Sequence, residues 1–113
     1  MTNASLFALV ALTLSAPAAM ARADLVSGAY LCGGGVRIPA VFVNPLSGEA
    51  YAVVVIEGGL VAMRATVSAS GARYRSGDGP DAWQLWAKGD RAAISQGADG
   101  RDEARFVDCL WQP

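Results

Sequence analysis

From Tyr30 onward the chain is cut at short intervals by residues that turn a backbone, and this punctuation limits its folds more than any other feature. Gly33-Gly34-Gly35, Asn44-Pro45-Leu46-Ser47-Gly48, Gly58-Gly59, Ser76-Gly77-Asp78-Gly79-Pro80, Gly89-Asp90 and Gly97-Ala98-Asp99-Gly100 supply residues that tolerate positive φ or fix a turn. Between them lie Tyr30–Cys32, Val36–Val43, Ala50–Ile56, Leu60–Val67, Arg73–Arg75, Ala82–Lys88, Arg91–Ser95 and Ala104–Cys109. These runs are short and rich in β-branched and aromatic residues, so they read as strands, and no segment reads as a helix. Gly58-Gly59 predicts a two-residue hairpin with both glycines at its central positions, where left-handed geometry matches strand twist. Eight short strands at hairpin spacing predict an all-β meander.

A meander this small cannot build two large packed layers. It buries its apolar face by curling into a small antiparallel β-barrel of about eight strands, which also removes its exposed edges. Alternation supports this: Gln84, Trp86 and Lys88 share one face of their strand, and Trp83, Leu85 and Ala87 share the other. Ala50–Ile56 is almost continuously apolar, which fits a strand covered on both faces or one that faces a partner.

The first 21 residues carry no charged side chain, whereas the whole chain carries 19. Leu6–Leu14 is an apolar core well short of the ~20 residues that cross a bilayer, and Pro17 breaks it. Ala19-Met20-Ala21 and Ala21-Arg22-Ala23 both fit the small-residue pattern of a signal-peptidase site, so residues 1–23 are expected to be a cleaved secretory leader, cut after Ala21 or Ala23. Residues 24–113 then form the working domain, with a net charge of −2. That charge excludes a nucleic-acid binder relying on bulk positive charge. A lipid anchor is not expected either, since the first cysteine, Cys32, follows Ala29-Tyr30-Leu31 instead of a Leu-x-Gly/Ala motif beside the apolar core. The expected location is a soluble periplasmic one.

Export gives the two cysteines a meaning. In an oxidising compartment, Cys32 and Cys109 are most simply a disulfide closing nearly the whole domain. On the loop-entropy model such a closure stabilises the fold by roughly 4.5 kcal/mol. A metal site is the poorer reading, because the chain has no histidine and the cysteines stand alone. No cofactor is implied.

The absence of histidine also excludes a Ser-His-Asp or Cys-His nucleophile. A Ser-Lys dyad stays open: Lys88 is the single lysine, and Ser68, Ser70 and Ser76 are the central serines. The plain reading of Lys88 is a solvated residue at a strand end. The glycine-rich stretches lack the Lys-Ser/Thr and the following helix of a phosphate loop, and read as turns.

Val67-Ser68-Ala69-Ser70-Gly71-Ala72-Arg73-Tyr74 and Trp83-Gln84-Leu85-Trp86-Ala87-Lys88-Gly89-Asp90 closely resemble the two signature stretches of the MliC/PliC family, bacterial membrane-bound or periplasmic inhibitors of c-type lysozyme. The pattern is S-x-S-G-x-x-Y, then an aromatic-rich strand ending in W-x-K-G. Tyr30-Leu31-Cys32, Val41-Phe42-Val43-Asn44 and Asp108-Cys109 extend the likeness over nearly all of residues 24–113. The resemblance implies an eight-stranded barrel with a Cys32–Cys109 disulfide, no enzymatic activity, and a lysozyme as protein partner. It also implies that Ser70 and Lys88 enter the lysozyme cleft. That cleft carries two carboxyl groups, one an acid and one ionised, which a hydroxyl and an ammonium can engage.

Within the motifs, Gly71 reads as a backbone requirement beneath Ser70. Tyr74 and Trp86 read as packing anchors or interface aromatics, Arg73 as a rim contact or a solvated side chain, and Ser68 as an auxiliary hydroxyl. The stretch from Arg75 to Ala82 is longer than the family's usual link and bears Asp78 and Asp81. If it lies beside the binding face, its charge opposes docking on a basic lysozyme; otherwise it is a neutral loop extension. Two other classes stay open, a periplasmic ligand-binding or envelope-assembly module with a different target, and a Ser-Lys hydrolase. Burial of Lys88 would favour the hydrolase.

Overall fold

The computed structural model describes residues 23–46 and 48–113, together with Ala11. The expected leader and its cleavage point lie outside the described residues, Ala11 and Ala23 excepted. Eight strands follow one another: β1 (Ala23–Cys32), β2 (Val36–Pro45), β3 (Tyr51–Ile56), β4 (Gly59–Thr66), β5 (Ala72–Arg75), β6 (Trp83–Lys88), β7 (Arg91–Gln96) and β8 (Glu103–Gln112). A 3-10 turn at Gly33–Gly35 joins the first two. Each strand pairs antiparallel with the next, and β1 pairs with β8, so the meander is a closed barrel.

Closure follows from alternation. On β3, Ala52, Val54 and Ile56 are buried, while Tyr51, Val53 and Val55 are partly or fully exposed. The near-continuous apolar run is therefore an ordinary one-sided strand. Leu85, Ile94, Met63, Ile38 and Tyr30 meet the same interior, each at most 2% exposed. Burying a side chain of this size contributes about 1.5–3 kcal/mol, so this inner layer is the main favourable term holding the barrel. One end of the core is aromatic: Phe42 lies 5.6 Å from Tyr74 and 5.5 Å from Trp111, and Tyr30 lies 5.0 Å from Trp111.

The Cys32–Cys109 disulfide forms at the β1–β8 seam. The pairs Tyr30↔Trp111 and Leu31↔Leu110 run directly into it, so the covalent bond continues the ladder that closes the barrel.

Three local features differ from the sequence reading. The β3–β4 hairpin pairs Ile56 with Gly59, so its central residues are Glu57 (φ 52°) and Gly58 (φ 79°), and Gly59 begins the next strand. The interior demand of Ile56 sets this register, and a glutamate takes the left-handed position that the glycine pair suggested for glycine. β1 begins seven residues before Tyr30; its early part pairs with β2 alone and leaves Leu25 67% exposed, so no burial pattern marks it. β8 runs on to Gln112 and carries register shifts against β7, with Asp108 at φ 53° beside Cys109.

Candidate functional site

β5 and β6 form a hairpin whose open end carries both residues singled out by the motifs. The register Ala72↔Ala87 brings Gly71, at the edge of the 67–71 loop, against Lys88, the last residue of β6. Ser70 and Lys88 are both exposed.

A single side chain supports the two. The Trp86 indole N–H donates to the Ser70 carbonyl at 2.8 Å, and the Lys88 ammonium lies 4.6 Å from the centre of the Trp86 ring. The hydroxyl of Ser68 also donates to the Ser70 carbonyl, at 2.5 Å. The Ser70 backbone is thus fixed from two sides, and its own hydroxyl has no hydrogen-bond partner among the described residues. Lys88 likewise has no ion-pair partner among them. A cation over an aromatic face gains about half a kcal/mol at such an exposed site, which biases the side chain without burying it.

Gly71 is needed for two independent reasons. Its φ is +68°, and a Cβ added there would lie 2.4 Å from the Ala87 carbonyl oxygen and 2.8 Å from Lys88 Cγ. The loop therefore packs its backbone directly on the β6 edge, a contact that only a residue without a side chain allows.

Tyr74 is 6% exposed and lies in the barrel core, where burial pushes its phenol above the ordinary value. It anchors β5 from the inside. Trp86 stands on the outer face, half-buried, and anchors the loop from the outside.

Arg73 is neither free in solvent nor projecting from the rim. Its Nη2 donates to the Val67 carbonyl at 3.0 Å and to Thr66 Oγ1 at 3.5 Å; its Nη1 donates to Asp99 Oδ1 at 2.9 Å and to Gln84 Oε1 at 3.5 Å. Its Nε is buried without a partner. Next to it, Arg75 donates to Gln84 Oε1 at 3.0 Å and to the Gly97 carbonyl at 2.5 Å, and Gln84 donates to Asp102 Oδ2 at 3.1 Å. Gln84, on the outer face by alternation, is consequently only 5% exposed. Asp99, Thr66 and Asp102 were invisible as site residues in the sequence: Thr66 meets Arg73 through the β4–β5 register, and the two aspartates through the 97–102 loop folding onto the outer face of β5 and β6. No spacing rule encodes that contact.

The 76–82 loop closes the other end of the same hairpin, away from Lys88. Among the described residues no group of three or more His, Cys, Asp or Glu side chains is placed to hold a metal ion, and no helix is long and apolar enough to cross a membrane. What the arrangement offers chemically is a hydroxyl and an ammonium, both unengaged, on a rigid edge.

Comparison with known proteins bears on what such an edge meets. The family model MliC, described as membrane-bound lysozyme-inhibitor of c-type lysozyme, matches residues 30–103, a span that includes both motifs. Among solved structures, the chain is similar to PliC-St, the periplasmic lysozyme inhibitor of C-type lysozyme from Salmonella typhimurium, at 26% identity and a TM-score of 0.68, over 80% of this chain and 100% of that one. A search of curated proteins finds no match.

Proposed function

Since the chain belongs to the MliC family of lysozyme inhibitors, we propose that it inhibits a c-type lysozyme by inserting Ser70 and Lys88 into the active-site cleft. The observation that carries this reading is the shared foothold on Trp86, which holds the serine loop by its backbone and the lysine by its charge while leaving hydroxyl and ammonium free. An enzyme of the lysozyme type works with one protonated and one ionised carboxyl group. The Lys88 ammonium pairs with the ionised one, and the Ser70 hydroxyl, able to donate and accept, engages the other. Both groups are presented by backbone already fixed before contact, so little ordering is left to oppose binding.

The remaining motif residues act on this presentation. Gly71 lets the loop seat on β6, Ser68 and Trp86 fix the Ser70 carbonyl, Arg73 holds the start of the loop, and Tyr74 ties β5 to the core. The chain is an inhibitor and not an enzyme. A Ser-Lys hydrolase needs a lysine whose pKa is lowered by burial, and Lys88 is exposed. The same reading makes the working protein a soluble periplasmic domain released by cleavage after Ala21 or Ala23. Its support is the uncharged stretch of the first 21 residues and the engagement of Cys32 with Cys109, which leaves neither of the chain's two cysteines for lipid attachment.

A turbidity assay with c-type lysozyme, bacterial cell walls and purified residues 24–113 tests the proposal. The wild-type domain should inhibit, and Ser70→Ala and Lys88→Ala should each weaken inhibition about tenfold or more, the scale of a lost charge-assisted contact. No inhibition by wild type at micromolar concentration refutes the function. Full inhibition by both variants refutes the mechanism alone.

A further inference from the structure

The sequence motif ends its interest in Arg73 at the β5 backbone, yet the side chain spans three separate parts of the fold. One amino group of its guanidinium reaches the Val67 carbonyl, the first residue of the 67–71 loop, and Thr66 at the end of β4. The other reaches Asp99. Arg73 is a fixed fork, so the position of one amino group determines that of the other.

Asp99 is itself held. It occupies a turn in which the Arg101 N–H donates to the Ala98 carbonyl at 2.9 Å. That turn is pinned at one end by Arg75 on the Gly97 carbonyl, and at the other by Asp102, which accepts from Gln84 and from Ser95. The anchor is therefore part of the barrel wall, while the carbonyl at the far side of the guanidinium belongs to an exposed loop. Val67 is 89% exposed and buries nothing that would hold it otherwise. The buried Nε without a partner points the same way: the arginine gives up one hydrogen bond in order to place its two amino groups.

We propose that Asp99 and Arg73 form a strap that holds the serine-bearing loop in its projecting shape, which makes Asp99 a positioning residue for inhibition although it lies in another loop and in no motif. This rests on the proposed role of Ser70. With the strap intact, the loop is restrained at Val67 by Arg73 and at Ser70 by Trp86, leaving only Ser68 and Ala69 between the two restraints. Without Asp99, the guanidinium loses its partner of opposite charge and the Val67 restraint loosens. Ser70 then samples orientations that do not fit the cleft, and apparent affinity falls in proportion to the competent fraction.

The test uses the mature domain with Asp99→Ala, Asp99→Asn and Arg73→Lys, read by backbone amide NMR order parameters of the uncomplexed protein and by inhibition. Asp99→Ala should lower the order parameters at residues 67–70 toward the flexible range and weaken inhibition about threefold to tenfold, with those of β3 and β6 unchanged. Asp99→Asn, which can still accept a hydrogen bond, should fall between it and wild type. Arg73→Lys should match Asp99→Ala, and combining the two should add little, because both cut the same strap. A role for Asp99 as a direct lysozyme contact predicts weakened inhibition with order parameters unchanged, and that outcome overturns the strap. Lowered order parameters with undiminished inhibition overturn its functional role. The relaxation measurement needs no lysozyme, so a wild-type domain that failed to inhibit would refute the proposed function while unchanged order parameters would refute the strap.

Discussion

Replacing Gly71 by alanine separates backbone geometry from steric fit at the point where the serine loop meets the barrel. At φ +68° an L side chain costs roughly 1–2 kcal/mol. The added methyl would also sit 2.4 Å from the Ala87 oxygen, a backbone atom in the β5–β6 ladder that cannot move away cheaply. The loop must shift instead. Lifting it off β6 sacrifices the Trp86 bond to the Ser70 carbonyl and strains the Arg73 bond to Val67, both solvent-facing, for about another 1–2 kcal/mol. The total is about 2–4 kcal/mol, bounded because the barrel need not open.

Gly58 provides the control. Its φ is +79°, and nothing lies within 4 Å of an added Cβ, so Gly58→Ala carries the conformational cost without the clash. Urea titration should therefore give Gly58→Ala a loss of about 1–2 kcal/mol and Gly71→Ala a larger one, with the slope unchanged in both. Inhibition should divide them further: Gly58→Ala keeps wild-type potency, whereas Gly71→Ala loses on the order of a hundredfold as the seated loop becomes a minor conformer. A Gly71→Ala domain that equals Gly58→Ala in stability and wild type in potency would refute the reasoning.

Trp86→Phe removes the indole donor to Ser70 while keeping a ring beneath Lys88, so it should weaken inhibition several-fold and cost about 1 kcal/mol in urea, whereas Trp86→Ala should lose both supports and fall further. Reducing Cys32–Cys109 and alkylating the thiols should lower stability by about 4–5 kcal/mol, measured by denaturation against the oxidised domain; equal midpoints would contradict the seam assignment. Alkaline titration should destabilise the barrel through its buried phenols. Burial, and then the neighbouring Tyr74, pushes the Tyr30 phenol up to about 12, and burial also raises Tyr74. The folded state keeps protons that the unfolded chain releases near pH 10, so stability is full below that and falls as pH rises toward 12, by ~2–3 kcal/mol for Tyr30 alone. Denaturant midpoints that stay constant from pH 9.5 to 11.5, conditions of about that range, would count against this.

How much of this was legible in the sequence depended on whether a feature was local. Turn residues and alternation are local, and eight strands, their order and barrel closure were readable from them. The cysteine pair was readable because a disulfide is its simplest reading once export is expected, and the two sulfurs are bonded. The β3–β4 turn was misplaced by one residue, since two adjacent glycines permit either register and the choice falls to Ile56, whose burial forces pairing with Gly59. Within the site, Gly71 was legible as a backbone requirement, although the reason for it includes an atom of β6. For Arg73 the sequence offers a rim contact or a solvated side chain; the second does not hold, because its partner Asp99 arrives from a loop 26 positions away.

The long 76–82 loop raises the question of whether Asp78 and Asp81 oppose docking on a basic partner. The hairpin answers it for Lys88. Asp81 adjoins the start of β6, where its carbonyl accepts from Gln96, and Lys88 is the last residue of that strand. Five residue steps along a strand span about 17 Å. At physiological ionic strength the screening length is about 8 Å, so a charge at that distance is largely invisible to the cleft that the proposed function places around Lys88. Asp78 lines a recess with Arg64, Arg75 and Asp99, at the same far end of the hairpin. At the Lys88 end the charges are mixed: Arg91 stands directly opposite Lys88 in the β6–β7 ladder, Asp90 lies in the turn between them, and Asp108 lines a recess with both, yet neither cation has an ion-pair partner among the described residues. Like charges placed opposite each other cost stability. On the proposed mode of inhibition, a carboxylate brought to Lys88 would relieve that repulsion, so the placement of charge at this edge bears on docking more than the net charge of the domain does.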